Sequence, residues 1–366
     1  MKVEIIDLKK RFKIEKVQIL KHIKKVLDKG NLILTSEVSN FEESICKYTG
    51  SNYCLGLNSG TDALMMSLWS LGIKKGDEVI TSPISFIASV SSIIHLGAKP
   101  VFVDIGYDLN MNADLIEKAI TKKTKAIMPV HWTGRMCDMD KICKIAKKYN
   151  LKIIEDSAQG MGSYFKKKHA GTFSDIAAFS AHPLKNLNGL GDGGFVITNK
   201  KFLYDKIKLF RNHGLKGRDN VETIGVNSRL DSLNAEVLSF RLKKLKSVIN
   251  QRQENINLYR KLINTKKVKI IDEIDYKKNA NVMFINFCEK RDQLQEYLKK
   301  FNIQTLVYYK NPLYSHKATR YLKINKKNFP VTNKLVKKVL AFPHHQYLKK
   351  KEIAFVCKKI NDFYKK

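Results

Sequence analysis

Short apolar runs alternate with segments of helical periodicity through roughly the first 230 residues of the chain. Tyr53 to Leu57 reads as a buried strand, followed by the polar step Asn58-Ser59-Gly60-Thr61 and a helical run from Asp62 to Leu71. Glu78 to Thr81 is the next strand, then a helix from Ala88 to Leu96 and a strand from Pro100 to Asp104. Ala126 to Val130 and Lys152 to Glu155 follow as strands, with a helix from Met139 to Lys148 between them. Ile176 to Phe179 and Phe195 to Thr198 complete the series. Apolar runs that do not alternate with polar residues suit strands covered on both faces. The pattern therefore predicts an α/β domain around a mostly parallel sheet.

Beyond Ser232 the pattern changes to a long helical stretch, Leu233 to Leu262, and then to short strands and helices up to Lys366. This predicts a large domain over residues 1–240, N-terminal arm included, and a smaller C-terminal α/β domain over 241–366. No internal repeat, low-complexity tract or Gly/Pro-rich linker interrupts either part.

Composition narrows the classes of function. With 366 residues and 43% hydrophobic content, the chain can bury a sizeable core. No apolar run approaches the ~18 residues of a membrane span, and the N-terminus lacks the layout of a signal peptide. A soluble cytoplasmic protein is expected, with no membrane partner. The six cysteines form no C-x-x-C pair, which predicts reduced core thiols and no metal site. The net charge of +34 raises nucleic-acid binding, but only ten of the 68 basic residues are arginine and the lysines are spread along the whole chain. Nucleic-acid readers cluster charge and favour arginine, so no nucleic-acid partner is expected. The charge would still attract a doubly anionic small molecule.

The chemistry concentrates at strand ends. Asp156 closes the apolar run Leu151 to Glu155 and precedes Ser157-Ala158-Gln159. Lys185 lies 29 residues on, in Ser180-Ala181-His182-Pro183-Leu184-Lys185-Asn186-Leu187, ahead of the glycines at 189, 191, 193 and 194. An aspartate at one strand end and a lysine after the next strand are the two groups that pyridoxal 5'-phosphate chemistry needs. The amine condenses with the aldehyde, and the carboxylate keeps the ring nitrogen protonated. Asp156 read alone is also an ordinary helix cap, and Gln159 a helix-surface residue. Gly60 and Thr61 begin a helix just after the first strand, where backbone N–H groups attract phosphate; the same residues suit a plain N-cap. Phe86 is placed to lie against a flat ring, though most phenylalanines at such positions are core. Ser180 offers a hydroxyl to phosphate, and Asn227 is otherwise an exposed amide.

Asp156-Ser157-Ala158-Gln159, Ser180-x-His182-Pro183-x-Lys185-Asn186-Leu187, Gly191-Asp192-Gly193-Gly194, Arg211-Asn212-His213-Gly214 and Asn227-Ser228-Arg229-Leu230 together resemble the DegT/DnrJ/EryC1/StrS sugar aminotransferases. The likeness runs from about Gly30 to His345. It implies a fold-type-I transferase dependent on pyridoxal 5'-phosphate, and it carries roles over residue by residue. Lys185 is then the Schiff-base lysine, Asp156 the partner of the pyridine nitrogen and Gln159 a contact to the phenolic oxygen. Phe86 stacks on the ring, Gly60, Thr61 and Ser180 hold the phosphate, and Asn227 reaches the phosphate of a neighbouring subunit. Thr35, within the family's substrate-proximal stretch Asn31 to Phe41, and His182, Tyr309 and Tyr314 are implied substrate contacts. Three positions depart from the family pattern: Ala181 beside the serine, Trp132-Thr133 after His131, and Tyr314 where histidine is common.

The expected activity is conversion of a nucleotide-linked keto sugar to an amino sugar by a homodimer with shared active sites, L-glutamate being the donor. The Gly191-Asp192-Gly193-Gly194 loop resembles relatives acting at C3 of a 6-deoxy sugar. Amination at C4 of a UDP-, dTDP- or GDP-4-keto sugar is the alternative. A dehydratase would carry histidine at position 185, and a non-catalytic regulatory relative would not need the full constellation.

Overall fold

The computed structural model describes residues 1–365. The chain opens with α1 (Leu8–Leu27) and α2 (Ser36–Thr49). It then alternates β1 (Tyr53–Leu57), α3 (Gly60–Ser70), β2 (Glu78–Thr81), α4 (Ala88–His95) and β3 (Lys99–Phe102). The one-turn helix α5 (Ile116–Ala119), β4 (Thr124–Met128), α6 (Met139–Lys148) and β5 (Lys152–Asp156) follow. A small hairpin, β6 (Tyr164–Phe165) and β7 (Lys168–His169), precedes β8 (Ile176–Ser180), β9 (Gly194–Thr198) and α7 (Lys201–Phe210).

These seven longer strands form one sheet in the order β1-β9-β8-β5-β4-β2-β3. Five strands pair in parallel across β3, β2, β4, β5 and β8, as the alternating pattern predicts. β9 pairs antiparallel with both β8 and β1, so one strand runs against the rest. The strands are short apolar runs because both faces are covered. Phe179, Phe195 and Ile197 meet Phe41 and Ile45 of α2 on one side; Ala178 and Val196 meet Leu64 and Leu68 of α3 on the other. Period-2 alternation sends neighbouring residues of one strand to opposite layers. Helix α6 is amphipathic for the complementary reason. Met139, Ile142 and Ala146 are buried, lysines face outward, and the Asp138 carboxylate accepts the Lys141 N–H at 3.2 Å as its N-cap.

After a second hairpin, β10 (Leu215–Lys216) and β11 (Asn220–Val221), the expected single helix is two: α8 (Ser232–Leu242) and α9 (Leu245–Leu262). The break falls at Lys243-Lys244, with neither glycine nor proline to announce it. Strands β12 (Val268–Ile270), β14 (Ile285–Cys288) and β15 (Val339–Ala341) form a three-stranded antiparallel sheet. Helices α10 (Arg291–Lys300), α11 (Pro330–Leu335) and α12 (Lys350–Lys365) accompany it. One cluster beside it includes Tyr259, Phe284, Leu298, Phe342 and Ile353, while Ile285, Phe287 and Val339 pack in another with Ile84, Val130 and Trp132 of the large-sheet part. Several connections tie this part to the large sheet; the Asp104 carboxylate, for one, accepts the Val331 and Thr332 N–H groups at 2.9 and 3.0 Å. Val3 bridges in parallel to Ile303, and β13 (Lys277–Lys278) returns to pair with β6. All six cysteines are free. Among the described residues no helix is long and apolar enough to cross a membrane, and no His/Cys/Asp/Glu group is arranged to hold a metal ion.

Candidate active site

The C-terminal ends of β1, β5 and β8 bring the predicted residues to one edge of the large sheet, where open α/β sheets bind ligands. Asp156 is the last residue of β5 and only 3% exposed. Its main chain is held on both sides: its N–H donates to the Pro129 carbonyl at 2.9 Å, and its carbonyl accepts the His131 N–H at 3.1 Å. Oδ2 accepts the Ser89 hydroxyl at 2.6 Å, and Oδ1 accepts the Ala158 N–H at 3.2 Å. Burial pushes this carboxyl above the usual aspartate range, while Ser89, Ala158, Lys185 and His131 pull it back. Lys185 sits in the turn after β8, its N–H donating to the His182 carbonyl at 2.9 Å. Burial lowers its ammonium to about 8, with Asp156 as the opposing charge.

Below this pair lies a fully buried histidine and glutamate. His131 Nε2 is 2.7 Å from Glu155 Oε2, and His131 Nδ1 faces the Cys137 N–H at 3.3 Å. Because the Cys137 N–H can only donate, Nδ1 accepts and Nε2 carries the proton toward the carboxylate. Glu155 also accepts the Gly171 and Phe173 N–H groups at 2.7 and 3.0 Å. Burial raises the Glu155 carboxyl, but the His131 and Gly171 donors outweigh it and hold it below the usual range.

Gln159 is buried three residues past Asp156, and its Oε1 accepts the Thr133 N–H at 2.7 Å. That bond fixes the amide orientation and leaves the NH₂ end to donate. Phe86, on the loop between β2 and α4, is 57% exposed, an unusual state for a phenylalanine beside buried Ser85 and Ile84.

Gly60, Ser180 and Gly194 converge from three elements. A Cβ on Gly60 would lie 2.7 Å from the Ser180 Cβ, and one on Gly194 would lie 2.3 Å from the Ser59 carbonyl oxygen. Ser59 caps α3 by accepting the Asp62 N–H at 3.0 Å. The Gly60 and Thr61 N–H groups lie in that same first turn, whose donors have no partner within the helix. Ser180 Oγ accepts the His182 N–H at 3.3 Å, so its own proton is free to donate.

The remaining predicted residues are placed less uniformly. Tyr309 is half-buried and stacks on Trp132 with ring centroids 5.9 Å apart. Burial raises its phenol first, with charge from Tyr308 and Asp156 adding to the effect. His182 is exposed, its Nδ1 accepting the Leu184 N–H at 3.2 Å. Thr35 is committed internally: its hydroxyl donates to Glu37 Oε2 at 2.7 Å and lies 2.6 Å from Ser232 Oγ. Lys29 and Thr35 together hold the Glu37 carboxyl down at about 2. Tyr314 departs from its expected place. It is 4% exposed, packs on Phe102 and Phe329, and donates its hydroxyl to Asn333 Oδ1 at 2.8 Å, so its ring and its proton are committed inside the fold. Asn227 is exposed, next to Ser228, whose hydroxyl donates to Asp62 at 2.7 Å.

Sequence reasoning missed Ser89. Its one signal was the i, i+4 pair Ser85 and Ser89 on either side of Phe86-Ile87-Ala88; the two hydroxyls lie 2.7 Å apart.

The site fits pyridoxal phosphate on its own geometry. Asp156 is a buried carboxylate met by two neutral donors and, among the described residues, by no salt bridge, which leaves place for a cationic N–H. The Gly60, Ser180 and Gly194 convergence keeps side chains out of a cradle lined with donors. Fold and site together define a fold-type-I, pyridoxal phosphate-dependent transferase.

The chain belongs to the DegT/DnrJ/EryC1/StrS aminotransferase family, which it matches over residues 13–361. It is 36% identical to the dTDP-3-amino-3,6-dideoxy-alpha-D-galactopyranose transaminase of Aneurinibacillus thermoaerophilus, over 94% of this chain and 95% of that protein. It is 35% identical to the pleiotropic regulatory protein of Geobacillus stearothermophilus, over 100% of this chain and 99% of that one. The crystal structure of S. venezuelae DesV in complex with ketimine intermediate superposes with a TM-score of 0.97 at 32% identity, covering 100% of this chain and 99% of that one. The protein is an aminotransferase, and its cofactor is pyridoxal 5'-phosphate.

Proposed function

We propose that this enzyme moves an amino group from L-glutamate to a carbonyl of a nucleotide-linked keto sugar, at C3 of a 6-deoxy sugar. The observation that carries the reading is the buried Asp156 and the half-buried Lys185 beside the Gly60, Ser180 and Gly194 cradle. The assignment to C3 rests on the Gly191-Asp192-Gly193-Gly194 loop and on the likeness to the dTDP-3-amino-3,6-dideoxy sugar transaminase.

When bound, pyridoxal phosphate supplies an electron-accepting ring and a carbon that carries the amino group between donor and acceptor. Asp156 would hold the ring N–H, its own carboxylate aimed by Ser89 and Ala158. Gln159 would donate its NH₂ to the phenolic oxygen, anchored from behind by the Thr133 N–H. Phe86 would cover one ring face. Gly60, Thr61 and Ser180 would bind the phosphate, with the N-terminus of α3 favouring its charge. Lys185 is the group that moves protons. With its ammonium lowered to about 8, roughly a tenth of it is neutral at pH 7, against roughly 0.03% for an unperturbed lysine. A neutral amine can attack as a nucleophile and, once released, can accept a proton from the donor's Cα and return it elsewhere.

The site is completed by a second copy. Asn227 lies on an exposed segment with Val221, Ile224 and Val226, and Ile224 is 86% exposed. A solvated Ile beside a polar amide suits a subunit interface at which Asn227 reaches the partner's phosphate. Residues 1–240 would form the cofactor-binding domain and 241–366 the smaller one of a cytoplasmic enzyme. Tyr309 and His182 remain as substrate-side contacts, and Thr35 acts through the segment it fixes.

Purified enzyme assayed with L-glutamate and a panel of 3-keto and 4-keto sugar nucleotides tests the reading. Release of 2-oxoglutarate with a 3-keto 6-deoxy sugar is expected. Turnover of 4-keto substrates alone would move the assignment to C4. Failure to aminate any of them, with cofactor bound, would favour the regulatory reading that one relative's name suggests.

A further inference from the structure

Two buried arginines from successive helices grip the turn that carries Lys185. Arg241 of α8 donates from Nη1 to the Asn188 and Gly189 carbonyls at 2.7 and 3.0 Å. Arg252 of α9 donates from Nη1 to Asn186 Oδ1 at 2.5 Å, and the Asn186 NH₂ donates onward to the Ala280 carbonyl at 2.5 Å. The same Nη1 also lies 3.3 and 3.2 Å from the Asn281 and Val282 carbonyls, while Nε and Nη2 both donate to Gln346 Oε1 at 3.3 and 3.2 Å. The two arginines differ in charge balance. Arg241 pairs with Glu15 of α1 at 2.9 Å, whereas Arg252 forms no salt bridge among the described residues. A buried cation without an anion is costly, and packing alone is met more cheaply by an apolar side chain. Arg252 is instead held by directional bonds, and one of them ends on the residue next to Lys185.

We propose that Arg252 is a positioning residue for Lys185: through Asn186 it locks the backbone of the lysine turn to α9 and to the 280–282 segment, so that only the lysine side chain moves during turnover. The turn's own bonds leave a place for such a lock. The Lys185 N–H to His182 carbonyl bond and the Asn188 NH₂ to Pro183 carbonyl bond close the turn locally, but neither ties Asn186 to the rest of the fold. A reactive amine displaced by about 1 Å loses on the order of a hundredfold in rate. The proposal rests on the reading of Lys185 as the cofactor lysine.

The test compares Arg252→Lys, Asn186→Ala, Asn186→Asp and the double variant Arg252→Lys/Asn186→Ala with the parent holoenzyme. Arg252→Lys keeps the charge but cannot span Asn186 and Gln346 together. The readouts are the rate at which apoenzyme captures added pyridoxal phosphate in a borohydride-stable link, and the visible circular dichroism of the bound cofactor. Arg252→Lys and Asn186→Ala should each slow capture by about ten- to a hundredfold and weaken the dichroic band. The double variant should be no worse than the poorer single, because both break one link. Asn186→Asp keeps the acceptor facing Arg252 but loses the NH₂ bond to the Ala280 carbonyl, so capture should recover part-way, clearly above Asn186→Ala. Gln346→Ala, which cuts Arg252 only on its other side, should lower the melting temperature and leave capture unchanged.

Folded Arg252→Lys or Asn186→Ala protein with parental capture rate and dichroism overturns the proposal, as does Asn186→Asp behaving like Asn186→Ala. If the first two do not fold, the Asn186→Asp and Gln346→Ala pair still decides it. A parent enzyme that forms no borohydride-stable link at Lys185 would instead sink the reading of the site.

Discussion

Removing the Ser89 hydroxyl should damage the chemistry while sparing the fold. Ser89 Oγ donates to Asp156 Oδ2 at 2.6 Å inside a region closed to water, and among the described residues the carboxylate is otherwise met only by the longer 3.2 Å bond from Ala158. A hydrogen bond to a charged group contributes about 1.5–3 kcal/mol. Ser89→Ala therefore weakens the ionised form of Asp156 by that amount, adding to the burial that already raises its pKa. If the whole effect reaches the transition state, the half-reaction with glutamate slows by about 10- to 150-fold. The sign on pH follows. With the Asp156 carboxyl raised further, it protonates at higher pH, so the acid limb of the rate profile moves upward. The measurement is a single-turnover reaction of holoenzyme with glutamate across pH, with Ser92→Ala as the control. Ser92 is equally buried on α4, but its hydroxyl bonds only weakly, to the Ser89 carbonyl at 3.5 Å. A Ser89→Ala enzyme within twofold of the parent rate, with an unmoved acid limb, would refute the role assigned to this bond.

Three further outcomes are expected. Capture of pyridoxal phosphate by apoenzyme needs the neutral amine of Lys185, so its rate should climb with pH and level off near 8; a rate still rising tenfold per unit through pH 10 would show an ordinary lysine. Gly194→Ala places a Cβ 2.3 Å from the Ser59 carbonyl oxygen and 2.6 Å from the Gly60 nitrogen, both backbone atoms that cannot swing aside. It should cost about 1–3 kcal/mol of stability by thermal melts and weaken cofactor affinity at least tenfold, whereas Gly191→Ala, with open space around it, should do neither. Mixing inactive Lys185→Ala subunits with inactive Asn227→Asp subunits should restore part of the activity, since one site of each mixed dimer carries neither lesion; demonstrable mixed dimers without activity would place Asn227 outside the partner's site.

Most of this site was legible because its residues sit where local pattern changes. Asp156 ends an apolar run, Lys185 follows the next one, and Gly60 begins a helix straight after a strand; each position is marked by its immediate neighbours. Tyr314 shows the limit of that kind of reading. Its place in the chain resembles a substrate contact, but its neighbours in space are Phe102, Phe329 and Asn333, which the sequence does not bring near. Ser89 fails for the same reason in reverse. Nothing within its own helix asks for a hydroxyl; the demand comes from a carboxylate 67 residues away.

The fold divides along the same line. Strand positions followed from apolar runs, but the reversed direction of β9 did not, because a strand buried on both faces reads alike whether its neighbours run with it or against it. That reversal matters to the site. By running against β8, β9 starts at the edge where β8 ends, which sets Gly194 opposite Ser180 in register and against Ser59 and Gly60. A parallel β9 would instead begin at the far edge of the sheet, and Gly194 would lie a strand length from the cradle. The glycine run ahead of β9 and the serine at the end of β8 are thus one feature, joined by a strand direction that no stretch of sequence states on its own.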